Sequence, residues 1–253
     1  MSNRKYLASV VLAGLVVATI PTSVFAADLS QSAPAASVES PFDLAFSITT
    51  TTDYISRGIS QSNHNPALQG TLEVDYDKFY ASLFGSNVDP SVVSGASFES
   101  DWAFGVRPQL GPLSLDLGYV WYIYDKSTAN GSEAYIKASV NPIDPVTLGS
   151  SLYVNPVNSA VYVEANAAYA LPNNWKISGA VGRVANTALP YTSWNAGIAW
   201  NPVAPLTLDL RYYGSNLSSS DCSTITTNGS VCDSRLVATL SLASTAKALG
   251  LFK

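Results

Sequence analysis

The stretch Leu113-Ser114-Leu115-Asp116-Leu117-Gly118-Tyr119-Val120-Trp121 sets Leu113, Leu115, Leu117, Tyr119 and Trp121 against Ser114, Asp116 and Gly118. Side chains alternate across a strand with a period of two, so this segment reads as a β-strand with one apolar and one polar face. The same pattern recurs on both sides of it. Phe42, Leu44, Phe46 and Ile48 oppose Asp43, Ala45, Ser47 and Thr49; Leu68, Leu72, Val74 and Tyr76 oppose Gln69, Thr71, Glu73 and Asp75; Leu206, Leu208, Leu210 and Tyr212 oppose Thr207, Asp209 and Arg211. Continued along the chain, the alternation predicts about twelve strands. They fall at 42–54, 67–77, 79–87, 98–107, 113–124, 133–140, 146–155, 161–169, 175–184, 193–200, 206–213 and 235–244, and the third and ninth alternate too poorly to assign their facing.

The connections alternate as well. Links around Asp77-Lys78, Pro108 to Pro112, Asn141 to Pro145, Ala170 to Asn174 and Asn201 to Pro205 are short and rich in Pro and Asn, which is turn chemistry. The intervening links are mostly longer and polar, the longest running from Gly214 to Ser234. Proline stands just before an alternating strand in Gly111-Pro112-Leu113-Ser114-Leu115, in Ala204-Pro205-Leu206-Thr207-Leu208 and, in shorter form, in Asp144-Pro145-Val146. Short turns at one end and long loops at the other describe an all-β, antiparallel transmembrane β-barrel of the outer-membrane type. Both termini then lie on the short-turn, periplasmic side. Tyr76, Phe79, Tyr169, Trp175 and Trp200 near the turns, and Tyr54, Tyr122, Tyr124, Tyr191 and Trp194 near the loops, are expected to form two interfacial girdles, although aromatic-rich β-proteins cluster such residues anyway.

At the N-terminus, Arg4 and Lys5 precede an apolar run from Tyr6 to Ile20, then Pro21 and the small-residue pattern Val24-Phe25-Ala26. This reads as a secretory signal peptide over 1–26, followed by a short periplasmic segment over 27–41 and the barrel over 42–253. A lipoprotein would carry cysteine at the cleavage point, whereas the cysteines here are Cys222 and Cys232. Only 12% of the residues are charged, about half the roughly 25% usual in soluble domains. The mature sequence holds no apolar run long enough for a spanning helix, which needs about 20 residues. A soluble periplasmic β-protein therefore ranks below a membrane barrel. The net charge of −5 argues against nucleic acid as a partner.

The polar strand faces supply the candidate pore lining: Asp43, Glu73, Asp75, Glu99, Asp101, Asp116, Lys137, Glu164, Asp209 and Arg211, with Glu133, Arg107, Lys176 and Arg235 on the same faces. Carboxylates outnumber cations there, which predicts a weak preference for cations if water passes. Cys222 and Cys232 share the longest loop in an oxidising compartment, so a disulfide closing it is expected. His64 is the only histidine and is read as a solvated loop residue. With one histidine and two cysteines no metal site is expected, and no Gly-x-Ser-x-Gly elbow marks a catalytic serine. Catalytic residues and cofactors are accordingly not expected.

Residues Asp53-Tyr54-Ile55-Ser56-Arg57-Gly58-Ile59-Ser60-Gln61-Ser62, then Asn65 to Gly70, Gly85-Ser86-Asn87-Val88-Asp89, Phe98 to Trp102 and Asp116 to Tyr122 resemble the TorF family, proteobacterial proteins named as porins and also described as a conserved domain of unknown function. The resemblance is specific over about 42–124 and looser, though continuous, beyond. It implies an outer-membrane location and a pore, and it supplies no catalytic or ligand residues. The chain departs from the common barrel ending in running on from Thr245 to Lys253.

The Arg57, Gly58, Ser60, Gln61 segment has two readings. In one, Gly58 permits a tight turn, Arg57 is held by Asp53 or another wall carboxylate, and the Ser and Gln side chains satisfy the loop backbone. In the other, the loop folds inward and Arg57 forms a constriction that sorts solutes by charge. The functional expectation is an outer-membrane porin for passive diffusion of small solutes or ions. The alternatives are a non-conducting structural or adhesive barrel and, ranked lower, an outer-membrane enzyme. The partners implied are outer-membrane lipid and lipopolysaccharide and the barrel-assembly machinery; a homo-oligomer stays open.

Overall fold

In the computed structural model, which describes residues 41–226 and 228–251, twelve antiparallel strands close into a barrel. They are β1 (Phe42–Thr51), β2 (Ala67–Tyr76), β3 (Phe79–Asn87), β4 (Phe98–Val106), β5 (Leu113–Tyr124), β6 (Gly131–Ile143), β7 (Val146–Val154), β8 (Val161–Leu171), β9 (Trp175–Ala185), β10 (Tyr191–Val203), β11 (Leu206–Ser215) and β12 (Arg235–Thr245). Each pairs with its sequence neighbours, and β1 pairs with β12 in the register Thr49↔Ser241, where the two hydroxyls meet at 2.8 Å. Closure gives both edges of every strand a hydrogen-bonded neighbour, so the sheet has no open edge. The segments read as signal peptide (1–26) and periplasmic segment (27–41) lie outside the described residues except for Pro41.

Two strands, β6 and β10, run at least two residues further at both ends than the periodicity predicts. The Asn-Pro-Ile and Asn-Pro-Val segments, which read as turns, instead form the ends of β6 and β10. Their register slips between Val146 and Leu148 and between Trp200 and Val203. A bulge at the rim tolerates a proline that cannot donate to the ladder. β1 ends earlier than predicted, at Thr51, because Asp53 starts a structured loop. That loop contains a small hairpin, Ile55–Ser56 paired with Ile59–Ser60. β12 ends at Thr245, after which the Ala246 N–H donates to the Leu44 carbonyl (2.8 Å) and the Lys247 N–H to Asp43 Oδ1 (3.0 Å).

The outward faces are apolar: Ile48, Leu72, Phe104, Leu117, Leu148, Ile177, Leu210 and Leu240 are all exposed. Among the described strand residues the charged side chains sit at inward positions, with the exception of Arg183 near the loop end of β9. The ambiguous strands resolve accordingly: β3 turns Tyr80, Phe84 and Ser86 inward, and β9 turns Lys176, Ser178 and Gly182 inward. At the short-turn end Tyr76, Phe79, Tyr169 and Trp175 are exposed outside the wall, and Trp175 stacks on Trp200 at 5.3 Å. The expected loop-end girdle is corrected. Tyr54 and Tyr191 are buried, Tyr122 and Tyr124 face the interior, and Trp194 alone of that set is exposed outside. The reason is strand parity, since Tyr122 and Tyr124 share the even positions of β5 with Asp116.

Candidate functional site

The loop between β1 and β2 enters the barrel. Its hairpin turns at Arg57 and Gly58, with φ of 49° and 81°, the left-handed pair that tight two-residue hairpins require. Gly58 is needed for a second reason: a Cβ there would fall 2.9 Å from Ser193 Cβ and 3.0 Å from the Gly214 carbonyl oxygen. The hairpin tip thus rests on the wall formed by β10 and β11. From it Arg57 reaches β6, donating to both oxygens of Glu133 at 2.9 and 2.5 Å. The guanidinium also lies 4.4 Å from the Tyr162 ring centre on β8 and 5.3 Å from that of Tyr153 on β7. In the strand order these walls lie across the barrel from β1, so Arg57 spans the lumen. Bidentate charge-assisted bonding and two ring faces together fix a guanidinium strongly.

The base of this loop is a polar hub. Asp53, buried, accepts from Ser60 (2.5 Å), Ser62 (2.9 Å) and Arg235 of β12 (3.0 Å). His64 does not stand free in solvent as expected: it lies against Asp53 (3.3 Å), Ser230 (3.3 Å) and Arg235. The longest loop packs down on the first. Helix α1 (Ser219–Ile225), capped by Ser218, and a 3-10 turn (Gly229–Cys232) are joined by the Cys222–Cys232 disulfide. Ile59 and Tyr191 pack with Val231 and that disulfide, and Asn228 donates to Asn63 at 2.9 Å. Between β5 and β6, Asp125 accepts from the Ser97 hydroxyl and from the Ser97 and Phe98 amides, bonds that hold its carboxyl well below the usual range.

Below the hairpin the interior divides into two chambers. The one nearer the loops, about 240 Å³, is lined by Arg57, Glu99, Asp101, Glu133 and Glu164 among tyrosines 54, 122, 124, 153, 162 and 213. Its hydroxyls are oriented by the acids: Tyr122 donates to Glu133 (2.7 Å), Tyr124 to Glu99 (2.5 Å) and Tyr162 to Glu164 (2.7 Å). Gly182 makes room for Tyr162, whose ring a Cβ there would strike. The chamber nearer the turns, about 490 Å³, is lined by Arg107, Lys137, Lys176 and Arg211 with Asp116 and Asp209. Here most charges are paired. Arg107 holds Glu73 (2.7 Å) and Asp75 (3.1 Å), Lys137 meets Asp116 (3.4 Å), and Arg211 clamps Asp209 (2.9 Å) while donating to Asn195 (2.8 Å). Asn195 and Tyr213 border both chambers.

Of the residues named from sequence, Glu99, Asp101 and Glu164 gather in the first chamber and Asp116, Lys137, Asp209 and Arg211 in the second. Glu73 and Asp75 face inward but border neither, being tied to Arg107. Asp43 accepts from the Leu44 and Lys247 amides at the short-turn rim. Arg57 and Gly58 border the first chamber, whereas Ser60 and Gln61 remain within the loop, Gln61 donating to the Ile59 carbonyl (3.1 Å). The tyrosine lining was missed in the sequence, although its parity with neighbouring acids was visible there: Tyr162 stands two residues before Glu164, and Tyr122 six after Asp116. Among the described residues no group of three or more His, Cys, Asp and Glu side chains gathers as a metal site.

Residues 35–243 match the model of a family described as bacterial protein of unknown function (Gcw_chp). The chain belongs to this family. The matched span takes in β1 to β11 and most of β12. No curated protein matches the sequence. Among solved structures, a KdgM porin superposes with a TM-score of 0.55 at 6% identity, covering 79% of this family member and 97% of that chain. A KdgM porin in complex with disordered oligogalacturonate gives 0.53 at 6% identity, covering 80% and 97%. At such identity the likeness is one of fold.

Proposed function

We propose that the chain is an outer-membrane pore for passive diffusion of small solutes or ions, with weak cation preference. The observation that carries this is the polar interior: two chambers, opposite in dominant charge, abut at Asn195 and Tyr213 along the barrel axis. A barrel kept only for mechanical support has no need of such space. Four acidic side chains against one guanidinium in the loop-side chamber favour entry of cations over a polyanion such as the oligogalacturonate of the solved complex. The resemblance of the Arg57 segment to the TorF porins supports the same reading. The short turns and both chain ends are assigned to the periplasm, the orientation general to outer-membrane barrels. Tags at Asn130 and Ser219 should then be reached on intact cells, and tags at Asn173 and Ala204 should not.

A second reading, a non-conducting barrel, is favoured by the Arg57 hairpin lying across the lumen. Purified protein in a planar bilayer separates the two. The pore reading expects discrete conductance steps and a cation-directed reversal potential that shrinks as salt shortens the Debye length from about 30 Å at 0.01 M to about 10 Å at 0.1 M. Folded protein without channels would select the non-conducting barrel. The reading assigns no catalytic step, and loss of a chemical activity on mutating one polar cluster would replace it with an enzyme.

A further inference from the structure

The Arg57 side chain sits in surroundings that would bind a guanidinium from any source. Glu133 offers both oxygens, Tyr122 holds that carboxylate in place from behind, and the Tyr162 and Tyr153 rings present their faces. These four partners belong to the rigid wall, on β5, β6, β7 and β8. Arg57 does not: it is carried on a hairpin whose two arms are two residues each. The wall therefore supplies a preformed cation cage, and the loop supplies its occupant.

The same chamber holds more carboxyl groups than Arg57 answers. Glu99 and Asp101, only 3% and 4% exposed, line it alongside Glu133, and Glu99 Oε2 and Asp101 Oδ1 are buried without a hydrogen-bond partner. A buried carboxylate oxygen left without a donor is costly, so these atoms mark a place where a bound positive group would be stabilised. The volume, about 240 Å³, lies below the roughly 300 Å³ at which pockets for drug-sized ligands begin. It suits a small solute.

We propose that the loop-side chamber recognises small organic cations bearing a guanidinium or primary ammonium group, and that Arg57 is a tethered internal ligand which such a solute displaces. This deepens the pore reading and rests on it, in that the displaced hairpin would unblock the lumen for the solute that displaced it. Recognition is divided between two places: the Glu133 and tyrosine cage takes the guanidinium, and Glu99 with Asp101 takes a second positive centre. A solute with both groups fits better than one with either alone.

The test uses agmatine, which carries a guanidinium and a primary amine, titrated calorimetrically into the full-length detergent-solubilised barrel, with galacturonate as the anionic comparison. A competitor that occupies its site nine-tenths of the time or more weakens apparent affinity at least about tenfold. Arg57→Ala should therefore tighten agmatine binding by about tenfold or more, and Arg57→Gln, which keeps more of the side chain's length, should act in the same direction. Adding Glu133→Gln to either variant should abolish the gain. Heat-resistant migration on gels confirms that each variant is folded. Agmatine binding unchanged by both Arg57 variants, or galacturonate binding tighter than agmatine, would overturn the proposal. Calorimetry reads binding without conduction, so channels without agmatine binding reject this inference alone, whereas agmatine binding without channels in wild type or variants supports the site and rejects the pore.

Discussion

Replacing Gly58 with alanine perturbs the hairpin without touching a charge, and so isolates its docking from the electrostatics of Arg57. Two costs follow from the structure. The φ of 81° places a non-glycine residue in the left-handed region, at about 1–2 kcal/mol. The new Cβ would meet Ser193 Cβ at 2.9 Å and the Gly214 carbonyl oxygen at 3.0 Å, where carbon pairs prefer about 3.5–4.0 Å. One of these neighbours is backbone of a barrel strand and cannot yield, so an overpacking cost of about 1–3 kcal/mol applies. Even about 2 kcal/mol in total shifts the docked-to-undocked ratio roughly thirtyfold. Single-channel recording should then show larger or longer openings for Gly58→Ala than for wild type. Gly111→Ala is the control, because Gly111 also has positive φ, at 60°, but nothing lies within 4 Å of its Cβ position; it should leave conductance unchanged. Folded Gly58→Ala protein that conducts like wild type and like Gly111→Ala would refute the claim that the hairpin obstructs the lumen.

Leu208→Arg, on the exposed apolar face of β11, should destabilise the barrel by about 2–4 kcal/mol in urea unfolding from lipid, with Thr207→Arg milder because Thr207 borders the turn-side chamber; equal losses would speak against a lipid-facing wall. Asp116→Asn with Asp209→Asn leaves Lys137 and Arg211 without their carboxylates, so the reversal potential in a salt gradient should move toward anions, and an unmoved potential would show that the turn-side chamber does not set selectivity. Reduction of Cys222–Cys232, which encloses a loop of sequence separation 10, should cost on the order of 2–3 kcal/mol in local loop stability. Protease should then cut within 216–234 while the barrel keeps its heat resistance; cleavage at the same rate with and without reductant would show that the bridge does not hold the loop.

The wall was legible because an apolar outer face and a polar interior impose a period-two pattern on each strand. Leu206 to Tyr212 could hardly be placed any other way. Where a strand meets the rim that constraint fades, and Pro142 and Pro202, which read as turn residues, turn out to end β6 and β10 beside bulges. Parity alone tells which strand residues face inward, yet it says nothing about depth or partners. Asp43 and Asp116 lie at equivalent positions in the pattern, but one holds the turn after β12 and the other accepts from Tyr80 and meets Lys137.

The same limit explains the tyrosines. An aromatic near a strand end suits a membrane interface when its parity is outward and a lumen when it is inward, and the even positions of β5 assign Tyr122 and Tyr124 to the lumen as firmly as they assign Asp116. Composition near the strand ends suggested a girdle; alternation, the stronger constraint, overrides it. Arg57 lies beyond either signal, since a hairpin tip has no parity with the wall it reaches. Sequence could specify its turn through the left-handed Arg57-Gly58 pair, but its target follows from closure, which carries β6, β7 and β8 across the barrel from β1 and so brings Glu133, Tyr153 and Tyr162 within reach of one guanidinium. The residues that meet inside the barrel are thus set by the three-dimensional closure of a fold whose individual strands are set locally.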